Sequence, residues 1–74
     1  MKKEYITAMD NGKEIVIISA EKNFNSAIFW KKDGTYYCFT RAFGVMKRSD
    51  LNNEMVGSHL SEMEKESAQI TIRG

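Results

Sequence analysis

Residues 28–40 read IFWKKDGTYYCFT, and the dipeptide near their centre decides the fold. Asp33-Gly34 favours a two-residue turn in which both residues take positive φ, the turn whose twist matches two antiparallel strands. Counting outward from it, Lys32 pairs with Thr35, Trp30 with Tyr37 and Ile28 with Phe39 on one face. Lys31 pairs with Tyr36, Phe29 with Cys38 and Ala27 with Thr40 on the other. Both faces therefore carry large apolar side chains. A sheet has two sides and one helix covers one of them, so the surplus needs a destination.

Proline is absent from the 74 residues, so glycine and asparagine mark the turns. Upstream, Asn11-Gly12 reads as a second two-residue turn, between residues 4–9 and 14–19. In that register Ala8 faces Ile15 and Ile6 faces Ile17, which gives a first hairpin with an apolar side. Residues 20–25 are polar and read as the connection between the hairpins. Downstream, residues 41–48 join strand to helix, and Gly44 supplies the backbone freedom for the bend. Ser49-Asp50 has the form of a helix start, a hydroxyl cap followed by an acid in the first turn. Leu51, Met55, Val56, His59, Leu60 and Met63 then form one helical stripe. Gly57 interrupts it, so residues 49–68 are either one helix or a turn and a second helix capped by Ser61 with Glu64. Gln69-Ile70-Thr71-Ile72-Arg73 alternates and adds a last strand.

The order is ββββαβ. It implies an α+β fold: a twisted antiparallel sheet of four to five strands, built from two β-hairpins and a C-terminal strand, with one helix packed on a face. Residues 1–74 make a single domain, near the small end of what one core supports. Cys38 is the one cysteine, so no internal disulfide is available and a reducing compartment is expected. Met1-Lys2-Lys3-Glu4-Tyr5 leads into no apolar signal core, and no run is long enough for a membrane span. The expected address is the cytoplasm, with no membrane partner.

Net charge is +1, which alone selects no partner, but its distribution is uneven. Residues 1–48 hold nine Lys/Arg against five Asp/Glu, and residues 49–74 hold two against five. Such polarity gives the folded domain a dipolar field that can steer approach, or simply lets the two halves attract each other.

Catalytic constellations are weak. His59 and Glu62 stand three apart on a helix and offer two metal ligands where a closed site needs four. Cys38 lies mid-strand opposite Phe29, the setting of a small core residue rather than a nucleophile. Glu62, Glu64 and Glu66 form a solvated face, and the scattered glycines build no phosphate loop. No enzyme activity, metal or cofactor is expected.

The stronger candidate is the aromatic-basic hairpin. Trp30, Tyr37 and Phe39, rimmed by Lys32 and Arg41, have the composition of a core face, of a protein interface and of a platform for single-stranded nucleic acid. The first of these weighs most from residue types alone. Arg41, Lys47 and Arg48 extend the same basic rim toward an acidic surface or a phosphate. The partner-binding set is thus Trp30, Lys32, Tyr37, Phe39, Arg41, Lys47 and Arg48. A non-enzymatic binding protein that engages a host protein or protein complex is the leading expectation, with a single-stranded nucleic-acid module as the alternative. A homodimer that buries two hairpin faces against each other is a third. The narrowest form of the leading expectation is a bacteriophage or mobile-element accessory protein that inhibits or modulates a host enzyme or defence complex. Anti-CRISPR proteins are such a class, and this chain is similar to them in size and type only. Abundant Lys, Ile and Asn without Pro fit an AT-rich coding source.

Overall fold

The computed structural model describes residues 3–18 and 26–74. Seven elements follow one another: α1 (Lys3–Asp10), β1 (Glu14–Ile18), β2 (Ala27–Lys32), β3 (Thr35–Thr40), β4 (Gly44–Arg48), α2 (Asn53–Lys65) and β5 (Gln69–Arg73). The strands make one antiparallel sheet in the order β4-β3-β2-β1-β5. The chain meanders through four strands, and α2 then carries it back across the sheet to lay β5 against β1. This is the α+β sheet that the alternation implies. The polar connection at residues 20–25 lies outside the described residues.

The central hairpin has the register that the sequence dictates, with Lys32 opposite Thr35, Trp30 opposite Tyr37 and Ile28 opposite Phe39. Asp33 and Gly34 have φ of 52° and 80°, the left-handed pair of a tight hairpin turn.

The expected first hairpin is corrected. Residues 3–10 are helical, because Tyr5, Ala8 and Met9, spaced one turn apart, all enter the core. Asn11-Gly12 ends that helix instead of joining two strands. The Gly12 amide donates to Met9 O and the Lys13 amide to Ala8 O, both at 3.0 Å, with Gly12 at φ 80°. That hydrogen-bond pattern satisfies the orphan carbonyls of a helix C-terminus. Two helices, not one, therefore pack on the sheet, and the order is αββββαβ. Ile15 and Ile17 pair with Phe29 and Ala27 on one side and with Ile72 and Ile70 on the other.

The fifth strand comes from residues 44–48, expected as a linker. A three-residue loop, Arg41 to Phe43, lets Thr40 pair with Gly44, and Gly44 takes the left-handed φ of 68° that such loops commonly need. The start of α2 also moves. Its N-cap is Asn52, whose side-chain oxygen accepts from the Met55 amide at 2.9 Å, and Ser49-Asp50 forms a turn before it. The helix runs unbroken through the buried Gly57, so no second helix starts at Ser61.

One cluster forms the core. It joins Tyr5, Ala8 and Met9 of α1, Val56, Leu60 and Met63 of α2, and Ile15, Ile17, Phe29, Tyr36 and Cys38 of the sheet. By register all five sheet residues point to the same face. A polar clamp borders them: Lys31 Nζ donates to Asp10 Oδ1 at 2.9 Å and to Asn53 Oδ1 at 3.1 Å, while the Tyr36 hydroxyl donates to the same Asn53 oxygen. The end of α1 and the start of α2 are thereby tied to the central hairpin.

Candidate functional site: the uncovered sheet face

Strand alternation sends every second residue away from the helices. The register assembles these residues into rows. Thr71, Val16, Ile28, Phe39 and Val45 lie side by side across all five strands. The adjacent row carries Trp30, Tyr37 and Lys47, and Lys32 and Thr35 stand beyond it at the turn. Both helices belong to the core cluster on the other side, so among the described residues no element covers this face.

The consequence is exposed apolar area. Phe39 is 41% exposed, Val45 63% and Ile18 45%, and Phe43, in the loop beside them, 74%. Trp30 and Tyr37 stack, with ring planes 10° apart and centroids separated by 5.9 Å. The two rings are thus held against each other on this face. A shallow depression of about 200 Å³ lies between Val16, Ile18, Ile28, Phe39 and Arg41, below the roughly 300 Å³ at which small-molecule sites begin. A broad, nearly flat apolar surface suits a macromolecule better than a metabolite.

The rim is basic. Lys32, Arg41 and Lys47 are exposed, and none has an ion-pair partner among the described residues. Arg73 also lies on this face, but it is held by Glu14 across β1 at 2.8 Å. The acidic residues of α2 sit on the opposite side of the molecule, so the charge polarity of the sequence becomes a polarity between faces.

The structure brings Trp30, Lys32, Tyr37, Phe39 and Lys47 together on this one surface and sets Arg41 at its end. Arg48 is not part of it. It lies opposite Tyr36 on the helix-covered face and forms a bidentate pair with Asp50, at 2.9 and 3.0 Å. Hydrogen bonding within that pair pushes the Arg48 guanidinium further up and holds the Asp50 carboxyl below its ordinary value. The partner-binding set expected from the sequence leaves out Val16, Ile18, Ile28, Phe43 and Val45. The parity of Ile28 with Trp30 was available, but the placement of Val45 requires β4.

His59 is exposed, and its ring meets Phe29 edge-on at 5.8 Å. Cys38 is buried opposite Phe29. Among the described residues no three His, Cys, Asp or Glu side chains converge, and no helix is long and apolar enough to cross a membrane. No protein-family model, curated protein or solved structure matches this chain.

Proposed function

We propose that the protein acts by binding, not catalysis, and that its uncovered sheet face docks another protein. The observation that carries this is the Val16-Ile28-Phe39-Val45 row, an aliphatic and aromatic centre bounded by Lys32, Arg41 and Lys47. An apolar core inside a charged rim is the anatomy of a protein interface. The complementary partner presents an apolar patch edged by carboxylates, which the basic rim attracts before contact and aligns on arrival. In its narrowest form this reading makes the chain an accessory protein of a bacteriophage or mobile element that inhibits or modulates a host enzyme or defence complex. The small size and the lack of catalytic motifs are compatible with that form.

The test is capture from bacterial lysate by the tagged chain, compared with Phe39→Asp on the open face and Glu62→Ala on the helix side. A partner retained by Glu62→Ala and lost by Phe39→Asp supports docking through the face. A protein captured equally by a folded Phe39→Asp variant sinks it.

One observation favours a second reading, single-stranded nucleic acid: the Trp30–Tyr37 stack beside free cations, on which a base can stack. The aliphatic row weighs against it, because a hydrated phosphate chain laid over Val16, Ile28 and Val45 leaves that area without a partner. Salt separates the two. Phosphate contacts are strongest at low ionic strength, so undetectable oligonucleotide binding at about 20 mM salt removes the second reading.

A further inference from the structure

We propose that β5 is a self-pairing edge, through which two copies of this chain join into one continuous antiparallel sheet. A sheet edge presents unpaired N–H and C=O groups, and proteins that remain single protect such edges with charge or irregular backbone. The two edges of this sheet differ in that respect. Edge strand β4 begins at Gly44 with a left-handed φ and carries Lys47, whose ammonium has no ion-pair partner among the described residues. Edge strand β5 has β-branched Ile70, Thr71 and Ile72 in succession, and among the described residues it pairs with β1 alone. Its single charge, Arg73, is drawn inward to Glu14 on β1 and does not guard the free edge.

The strand is also self-complementary. A two-fold axis just outside β5 at Thr71, perpendicular to the sheet, sets Thr71 of one copy opposite Thr71 of the other. It sets Ile70 opposite Ile72, and Gln69 opposite Arg73. Threonine pairs and pairs of β-branched aliphatic residues are favourable across antiparallel strands, and no like charges meet. Ile72, 38% exposed in the single chain, gains an apolar neighbour on the helix side of the sheet. This arrangement keeps both uncovered faces on the same side, so the docking surface doubles in width. Burying two of those faces against each other instead brings two basic rims together, with Lys32, Arg41 and Lys47 contributed by each copy. The charge map therefore favours the edge over the face. The inference does not depend on what the face binds.

Pairing through one short strand buries less than the roughly 1,000 Å² of a stable interface, so the dimer is weak and concentration-dependent. Sedimentation equilibrium of the full chain from about 5 μM to about 1 mM should show the mass rising from one copy toward two across this micromolar-to-millimolar range. Thr71→Lys and Thr71→Glu each place like charges on the axis, and each should weaken self-association at least about tenfold. Mixed in equal amounts, the two variants should associate again. Amide exchange on the wild-type chain gives a readout independent of any variant: β5 amides should gain protection as concentration rises while β4 amides do not. A single-copy mass up to 1 mM, dimerisation of the folded variants equal to wild type, a mixture that does not associate, or concentration-dependent protection in β4 in place of β5 each overturns the proposal.

Discussion

The two faces of the sheet are interleaved residue by residue and differ little in chemistry. Phe29, Tyr36 and Cys38 turn one way; Trp30, Tyr37 and Phe39 turn the other. The first set is buried to within a few per cent of completely, while Phe39 is 41% exposed. The difference comes from elsewhere in the chain. Tyr5, Ala8 and Met9 arrive on α1, and Val56, Leu60 and Met63 on α2, both onto the same side. The clamp of Lys31, Asp10, Asn53 and Tyr36 sits on that side too and fixes the start of α2 beside the end of α1. Hydrophobicity alone therefore does not sort core from surface on a two-sided strand; the position of the polar clamp and the helix stripes does.

If one face is structural and the other functional, equivalent truncations must separate the two properties. Leu60 is 1% exposed in the helix-covered core. Leu60→Ala should cost about 2–5 kcal/mol, a large share of the roughly 5–15 kcal/mol that holds a typical domain together. Urea denaturation measures it, and a loss below about 1 kcal/mol would break the assignment of this face as core. Phe39→Ala should cost about 1 kcal/mol of stability or less, yet lower affinity for a captured partner about 30-fold, since aromatic anchors at interface centres carry about 2 kcal/mol or more. The inverse pattern, with stability lost and affinity kept, would exchange the roles of the faces. Lys47→Glu sharpens the point at the rim. It should leave the unfolding midpoint unchanged and slow association about tenfold at low salt, with less effect as salt rises.

The clamp gives the structural face a pH signature. The hydrogen bond to Asp10 pushes the Lys31 ammonium upward from 10.5, and burial pushes the Tyr36 hydroxyl upward from 10.0. Both groups hold their protons more tightly in the folded chain than in the unfolded one. Their contribution is whole below the ordinary values and is lost as pH rises through the raised folded ones. Urea midpoints should therefore be flat from pH 8 to about 10 and fall above it. Tyr36→Phe should cost about 1 kcal/mol at pH 8, by leaving Asn53 short of a donor, and should make the alkaline fall shallower. An equal slope in the variant would exclude Tyr36 ionisation as a driver.

How much of this the sequence carries differs by region for a physical reason. The central hairpin is legible to the residue, because Asp-Gly between two alternating runs has one low-energy solution. Asn11-Gly12 has two. A glycine at positive φ serves a hairpin turn and a helix C-terminus equally well, and only the flanking spacing decides. Tyr5, Ala8 and Met9 hold helical spacing, but residues 4–9 are so short that alternation fits them nearly as well. β4 is hidden for a similar reason. Lys47 and Arg48 give it the profile of a loop, and it is a strand because Gly44 lets it return along β3. The open face is half legible: parity groups Trp30, Tyr37 and Phe39, whereas the choice of covered side depends on contacts distant in sequence. Read as part of a linker, residues 41–48 present Arg41, Lys47 and Arg48 together, whereas in a strand Lys47 and Arg48 point to opposite faces.

The same glycine logic gives the smallest expected effect, at the end of the second covering helix. There the Ser67 amide donates to Glu64 O and the Ala68 amide to Met63 O, both at 3.0 Å, the arrangement that ends α1. Here a serine, not a glycine, occupies the left-handed position, at φ 64°. A side chain in that conformation costs about 1 kcal/mol relative to glycine. Ser67→Gly should therefore stabilise the chain by about 0.5–1 kcal/mol, and Gly12→Ala, at the matching position of α1, should destabilise it by a similar amount. Neither residue belongs to the open face, so neither change should alter partner affinity. A Ser67→Gly variant that gains stability and loses binding would show that the face reads the packing of α2 behind it, and the separation of the two faces would give way to coupling between them.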